Sequence, residues 1–289
     1  MATAGVLRVR FPRAAATLSQ YGDAPARVLV EIGQMVWFAL TAVGQIPFAL
    51  QHYRRELLKL IAQIGMGTGA MAVVGGTVAI VGFITLSTGS LVAIQGYASL
   101  GNIGVEAFTG FLAAMINVRF VAPVASGQAL AATVGAGATA ELGAMRISEE
   151  IDALEVMGIK SIAYLVSTRM VASFVVIIPL YALGIALAFL SQQVTTVFLY
   201  GQSMGTYDHY FHTFLRLSDV FWSFAEVIMI AVVVMATHCY YGYTASGGPV
   251  GVGEAVGRSM RLSLVTIVVV VVLTAMAVYG KNPNFNLTV

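Results

Sequence analysis

Long apolar runs with almost no charge constrain the fold of this chain more than any other feature. A helix that crosses a bilayer needs about 20 mainly apolar residues, because the hydrocarbon layer is about 30 Å thick. Between the first two runs, residues 87–104 contain serine, threonine, glycine and asparagine, which predicts a break or a re-entrant bend. We expect an all-α integral membrane protein with about five transmembrane helices, at about 61–86, 105–140, 161–190, 219–241 and 262–280.

The composition supports this fold class and argues against several others. Of the 289 residues 58% are hydrophobic and 10% are charged, whereas a soluble domain carries roughly 25% charged residues. A net charge of +2 does not favour a nucleic-acid partner. The single Cys239 excludes an intrachain disulfide, and no Cys/His cluster has the spacing of metal ligands.

Lys and Arg residues predict the orientation in the membrane, since they are enriched in cytoplasmic segments. If the N-terminus is cytoplasmic, twelve of the 15 Lys and Arg residues fall on the cytoplasmic side. Arg216 and Lys281 then lie outside, and Arg119 lies within a span. Five spans put the two termini on opposite sides, so we expect a multi-pass inner-membrane protein with a cytoplasmic N-terminus and a periplasmic C-terminus.

Residues 1–60 form a separate N-terminal region in this interpretation, ahead of a transmembrane domain at 61–289. Its first residues are too polar for the apolar core of a signal peptide, so we expect them to be retained. Residues 28–46 then repeat apolar side chains at helical spacing, with Glu31 and Gln34 interrupting and Pro47 ending the pattern. This pattern predicts an amphipathic helix along the membrane interface. A sixth span is the alternative, and Glu31 and Gln34 would make it costly.

A short acidic helix is predicted between the second and third spans, on the cytoplasmic side. Ser148 is a suitable N-cap, acidic side chains follow in the first turn, and Gly158 can end the helix in the left-handed conformation. A capped helix of this kind could dock in a groove of a cytoplasmic partner or could be a plain surface helix. The residues concerned are Ser148, Glu149, Glu150, Ile151, Asp152, Leu154, Glu155, Met157 and Gly158.

Polar residues inside or beside the spans are the candidates for a lipid pathway, because burying them in a membrane is costly. Arg119 precedes Glu141 by about 20 residues, some 30 Å of helix, which places it toward the outer half. It could contact a lipid carboxylate or phosphate, or it could snorkel or pair with Glu106 or Glu226. The full candidate set is Arg119, Glu106, Asn117 and Glu226.

Other functional classes have weaker support in the sequence. His209 and His212, three residues apart near Asp208, are too few ligands for a convincing metal site or enzyme centre. The glycines of 248–257 follow a membrane helix and are not succeeded by Gly-Lys-Ser/Thr, so they do not predict a nucleotide-binding loop. A lipid-modifying enzyme and an ATPase-independent secondary transporter remain the alternatives, and no internal symmetry of the secondary-transporter kind is visible.

Several segments together resemble the MlaE/YrbE permease family, from about residue 60 to the C-terminus. The last two segments are most similar to the B-type YrbE subunits that accompany actinobacterial Mce proteins. One departure is Phe120, since MlaE-like members have Glu after the matching Arg, so a charge pair there is not implied. The similar segments are 141–160 with Tyr164, Leu165 and Arg169, GMGTG at 65–69, QGY at 95–97, the Arg119-x-x-x-Pro123 spacing, 246–263 and 282–289.

This resemblance implies a non-catalytic permease subunit of an Mce-type ABC transporter that moves fatty acids, sterols or phospholipids, with import as the direction. The implied partners are an A-type YrbE permease, a cytoplasmic ABC ATPase dimer and a hexamer of Mce proteins on the outer side. Residues 148–157 would form the coupling helix seated in the ATPase. The resemblance implies no cofactor bound by this chain, because ATP and Mg²⁺ are used by the partner ATPase.

Overall fold

The computed structural model describes residues 24–66 and 76–280, and this part of the chain contains helices and turns without a strand. Five of its helices, α4, α5, α7, α9 and α10, are long and apolar enough to cross a membrane, which confirms the predicted all-α membrane fold. The helices are α1 (Ala24–Gly44), α2 (Ile46–His52), α3 (Arg54–Met66), α4 (Thr77–Gly101), α5 (Glu106–Ile147), α6 (Glu150–Val156), α7 (Ile162–Leu199), α8 (Met204–Phe214), α9 (Leu217–Tyr243) and α10 (Gly248–Tyr279).

The first spanning helix differs from the prediction. Residues 61–66 of the expected span lie in α3 and residues 77–86 lie in α4, whereas 67–75 are outside the described residues. Helix α4 continues to Gly101 through most of the expected break at 87–104. The small polar residues of α4 serve packing: Ser90 hydrogen-bonds Ser191 of α7 at 2.6 Å, and a Cβ on Gly89 would lie 2.5 Å from the Ala188 carbonyl oxygen. The chain turns only after Gly101, where Gly104 has a φ of 72°.

Two other spans are longer than predicted because π-helical stretches keep them continuous. In α5 one such stretch is Ala113–Val121, and it ends just before Pro123. Pro123 has no N–H to donate to the carbonyl of Arg119 four residues earlier, so the regular helical ladder is interrupted at this point. In α7 the helix ends with another π-helical stretch, Thr195–Leu199, beyond the predicted end at 190.

The last spanning helix begins about fourteen residues before the predicted start at 262. Its start is marked by left-handed Gly247 and by Pro249 in the first turn, where proline is compatible with a helix. Small residues then recur every four positions and face the protein interior, which allows α10 to pack closely on α5 and α9. The buried stripe is Gly251, Ala255, Ser259, Ser263, Ile267 and Val271.

The two N-terminal helices, α1 and α2, form a bent pair with an angle of 41°. Trp37 is 73% exposed, whereas Phe38 packs on the rings of Tyr240 and Tyr243 at the end of α9. The pair is long enough to count as a sixth span by length and composition. The interfacial position and the domain division at residue 60 therefore remain predictions. The predictions for residues 1–23, part of GMGTG and the C-terminal segment 282–289 lie outside the described residues.

Candidate functional site

The first turn of α6 does not follow the predicted capping. Ser148 ends α5 instead, since its hydroxyl donates to the carbonyl of Ala144 at 2.9 Å. Glu149 makes the turn between the helices with a φ of 60°, in the left-handed region that side chains rarely adopt. The helix therefore begins at Glu150, later than the predicted residue 148, because the turn after α5 occupies two of the expected residues.

The end of α6 has the geometry that the sequence predicts. Gly158 is left-handed with a φ of 77°. The amide of Ile159 donates to Leu154 and the amide of Gly158 donates to Glu155, both at 3.0 Å. These two hydrogen bonds form a Schellman motif, which satisfies carbonyls that the helix leaves free at its end.

Side-chain contacts join α6 to three spanning helices. Arg146 of α5 contacts Asp152 with an N···O distance of 2.6 Å. Glu155 accepts hydrogen bonds from Ser161, just before α7, at 2.6 Å and from Tyr243 of α9 at 3.0 Å. The hydrogen bond from Ser161 and then that from Tyr243 hold the pKa of the Glu155 carboxyl below its ordinary value. A displacement of α6 would thus change contacts with α5, α7 and α9.

The exposed apolar surface of α6 includes only some of the apolar residues named for the predicted helix. Ile151 is fully buried and Leu154 is partly buried against the protein's own core. Val156 is 89% exposed and Met157 is 66% exposed at the C-terminal end of the helix. Because Ile151 and Leu154 fix the helix to the bundle, the surface left for a partner consists of Val156, Met157 and the surrounding acidic side chains.

At the opposite end of the bundle, Arg119 is paired with a residue that the sequence analysis did not single out. Its Nη2 lies 2.6 Å from Oδ2 of Asp219, at the start of α9, and both side chains are nearly fully buried. The guanidinium also lies over the ring of Tyr279, at the end of α10, with 4.0 Å to the centroid. These contacts tie together α5, α9 and α10, and Asp219 was not among the partners that the sequence analysis considered for Arg119.

A cavity of about 580 Å³ borders this pair between α9 and α10. Asp219, Trp222 and Tyr279 line it together with aliphatic side chains such as Leu273, whereas Arg119 lies behind Asp219. An arginine held in this way positions the acid and the tyrosine that face the cavity. In the sequence, Asp219 is an acidic residue at the start of an apolar run, and this position is the feature that could have identified it as a functional candidate.

The remaining pathway candidates do not converge on one point. Asn117 and Glu226 are buried, and among the described contacts neither amide atom of Asn117 nor Oε1 of Glu226 has a hydrogen-bond partner. Glu226 follows Asp219 by about two turns, roughly 10 Å along α9. Glu106 is exposed in the short helical turn that begins α5.

Three of the four histidines lie in α8 and α9. His209 and His212 are exposed on α8, and no group of three or more possible metal ligands occurs among the described residues. His238 is fully buried in α9, and its Nδ1 lies 2.8 Å from the hydroxyl of Thr139 in α5. A Cβ on Gly135 would lie 2.6 Å from the His238 ring, so this residue is part of a close helix contact.

Comparison with known proteins agrees with this architecture, since residues 66–277 match the family Permease MlaE. A probable ABC transporter permease protein of Rickettsia bellii is 25% identical over 248 residues, which cover 86% of this chain and 92% of that protein. The intermembrane phospholipid transport system permease protein MlaE of Haemophilus influenzae is 26% identical over 192 residues, 66% of this chain and 74% of that protein. The chloroplastic protein TRIGALACTOSYLDIACYLGLYCEROL 1 of Arabidopsis thaliana is 28% identical over 179 residues, 62% of this chain and 51% of that protein. This chain, a multi-pass membrane protein, therefore belongs to the MlaE permease family.

Proposed function

We propose that this chain is the membrane-spanning subunit of an ATP-driven lipid transporter and that α6 couples it to a cytoplasmic ABC ATPase. The observation that carries the proposal is the rigid attachment of α6 to α5, α7 and α9, with Val156 and Met157 left exposed. A helix fixed in this way transmits a push to several spans at once. Names of relatives that include an ABC transporter permease and a phospholipid transport permease support the same assignment.

The finer proposal is an Mce-type importer of fatty acids, sterols or phospholipids. In it the chain pairs with an A-type YrbE permease, an ATPase dimer uses ATP and Mg²⁺, and an Mce hexamer lies on the outer side. The side that carries α6 is then cytoplasmic, and the C-terminus is periplasmic. The uneven distribution of Lys and Arg supports this orientation.

The cavity beside Asp219 is the proposed outer part of the lipid pathway. Its aliphatic walls suit an acyl chain or a sterol ring system, and Trp222 and Tyr279 suit the polar boundary of the membrane. Arg119 holds Asp219 in place rather than facing the cavity. In this proposal Arg119 acts on lipid through Asp219 and Tyr279, and Asn117 and Glu226 lie deeper on the same pathway.

Co-purification tests the coupling role of α6. The tagged chain is isolated from its native host in mild detergent as wild type and as Met157→Asp, and the recovered ATPase is measured by mass spectrometry. We expect Met157→Asp to lower ATPase recovery by about tenfold, because a carboxylate placed in an apolar contact is costly to desolvate. The matched control is Met204→Asp, which changes a methionine of α8 at the other end of the bundle that is 57% exposed, against 66% for Met157.

Each result separates the coupling role from the alternatives. Loss of the ATPase with Met157→Asp but not with Met204→Asp supports the proposal. Equal ATPase recovery from wild type and Met157→Asp would remove α6 from the ATPase contact. Recovery of the wild-type chain without any ATPase would favour a secondary transporter or a lipid-modifying enzyme.

A further inference from the structure

A second cavity lies at the α6 end of the bundle, between α3, α4, α5, α7 and α9, with a volume of about 140 Å³. It is separate from the cavity beside Asp219 and shares no lining residue with it. Apolar and polar residues line it in similar numbers, and the ion pair of Arg169 and Glu141 forms part of its wall, with an N···O distance of 3.1 Å. The residues that carry the argument are Gln63, Thr133, Gly137, Glu141 and Arg169.

The guanidinium of Arg169 has donors to spare in this cavity. Arg169 is 8% exposed, its Nη1 donates to the carbonyl of Leu165 at 2.8 Å, and its Nη2 donates to Oε2 of Glu141 at 3.1 Å. A guanidinium carries five N–H donors, and these two hydrogen bonds use two of them. Glu141 is less enclosed, with half of its side chain exposed. The cavity thus offers both a hydrogen-bond donor with positive charge and a carboxylate.

In the orientation proposed above, this charge pair lies near the boundary between headgroups and hydrocarbon. Arg169 lies about two turns into α7, roughly 10 Å from its start, and Glu141 lies a similar distance from the end of α5. Both helices meet α6 at these ends. The polar region of a bilayer adds about 5–8 Å on each side of the hydrocarbon, so a lipid headgroup beside α3 would reach this level.

We propose that this cavity binds the zwitterionic headgroup of an amine-bearing phospholipid, in the leaflet on the α6 side. The lipid phosphate accepts hydrogen bonds from the free N–H groups of Arg169, and the lipid ammonium pairs with Glu141. An anionic headgroup without the amine meets the Glu141 carboxylate unfavourably, so the same pair selects between lipid classes. The chemistry alone also fits a soluble phosphate ester that carries an amine. The inference extends the proposed lipid function but requires no ATPase and no transport.

The ion pair between α5 and α7 could be purely structural or could be part of a binding site. A substitution at Gly137 distinguishes these two hypotheses. A Cβ on Gly137 meets no atom within 4 Å, although this residue lines the cavity. Gly137→Leu therefore extends into the space beside the ion pair from a backbone position where its Cβ meets no other atom, and leucine favours the helix over glycine. The variant reduces the room for a headgroup while both charged side chains stay in the protein.

The test measures lipids retained by the full-length chain with its co-purifying subunits. The complex is placed in nanodiscs of equal phosphatidylethanolamine and phosphatidylglycerol, re-extracted in mild detergent, and its bound lipids are quantified by mass spectrometry. We expect the wild type to enrich phosphatidylethanolamine and Glu141→Gln to shift the ratio toward phosphatidylglycerol by about tenfold, because the repelling carboxylate is gone. Gly137→Leu abolishes the enrichment, and so does Arg169→Gln. The control is Glu254→Gln, which neutralises the exposed partner of Arg258 on α10.

Three outcomes overturn the inference. An unchanged lipid ratio in Glu141→Gln removes the role of the carboxylate, and retained enrichment in well-folded Gly137→Leu removes the cavity. Displacement of the lipid by glycerophosphoethanolamine at equal concentration would assign the cavity to a soluble phosphate ester instead. If the ATPase co-purifies normally while the lipid ratio never changes, this inference fails and the proposed coupling function stands.

Discussion

Two Arg–Asp ion pairs with the same N···O distance lie at opposite ends of the bundle. Arg119–Asp219 and Arg146–Asp152 both measure 2.6 Å. The side chains of the first pair are 4% and 2% exposed, and those of the second are 37% and 55% exposed. The distance alone would give these pairs equal weight. Their surroundings give them different energies, because water screens the second pair and is excluded from the first.

The difference matches the different tasks proposed for the two ends. The buried pair and the ring of Tyr279 lock α5, α9 and α10 beside a cavity, where a fixed geometry is needed. The exposed pair steadies a helix whose remaining surface faces water and is proposed to meet a partner. Removing one member of a buried pair leaves an uncompensated charge, while removing a member of an exposed pair leaves a solvated one. Mutations at the two ends should therefore differ in the size of their effect on stability and in the property that they change.

The largest expected effect comes from Asp219→Ala, which leaves Arg119 buried without its carboxylate partner. We expect it to lower stability by about 3–5 kcal/mol, the usual cost of breaking a buried pair from one side. Thermal unfolding of the purified protein in mild detergent measures this change. A loss below about 1 kcal/mol would show that Asp219 is solvated, and the contrast between the two ends would disappear.

A double replacement is the control for this prediction. Arg119→Met combined with Asp219→Leu removes both charges and keeps apolar volume, so we expect it to recover much of the stability lost in Asp219→Ala. Lipid uptake should stay low in the double variant, because neither Asp219 nor a positioned Tyr279 then faces the cavity. A double variant as unstable as Asp219→Ala would show that shape rather than charge was lost.

At the other end, Asp152→Asn should change stability by about 0.2–1 kcal/mol, as is usual for exposed ion pairs. The same thermal unfolding measurement applies, and raising the salt concentration should reduce the difference further because the pair is open to solvent. A destabilisation as large as that of Asp219→Ala would mean that the pair at α6 is shielded from water.

Hydropathy predicted the fold well where a span is uniform and less well where its polar residues serve helix packing. The span at 219–241 agrees with α9 within a few residues, since charged residues are absent from its middle. Residues 87–101 were misjudged because Ser90 and Gly89 resemble a turn in sequence but make contacts with α7. The early start of α10 was missed because residues 248–257 are rich in glycine but form a helix, in which Gly251 and Ala255 belong to the buried stripe.

In the candidate sites, too, the sequence predicted local features better than contacts between distant residues. The sequence predicted the left-handed Gly158 at the end of the acidic helix correctly, because this cap is decided by neighbouring residues, whereas the predicted N-cap at Ser148 was wrong. It did not identify Asp219 as the partner of Arg119, nor His238 as the neighbour of Thr139, because these contacts join residues about 100 positions apart. The sequence also included Ile151 in the predicted coupling helix without indicating that its side chain is buried, since periodicity shows which residues share a face and not what that face covers.

The smallest predicted effect concerns Glu155, whose carboxylate joins α6 to Ser161 and Tyr243. These hydrogen bonds lower the pKa of Glu155 from an ordinary value of 4.5. The ionised form is thus favoured in the folded protein. Its contribution to stability is complete above pH 4.5 and is lost as the pH falls through the lowered pKa.

Glu155→Gln keeps a hydrogen-bond acceptor without the charge. The Tm difference between wild type and Glu155→Gln should therefore shrink on acidification, by no more than about 1–2 °C because the group is exposed. A Tm difference that is constant from pH 7 to about pH 3 would show that the hydrogen bonds do not depend on the charge. A Tm difference that grows on acidification would show that folding raises the pKa of Glu155 instead of lowering it.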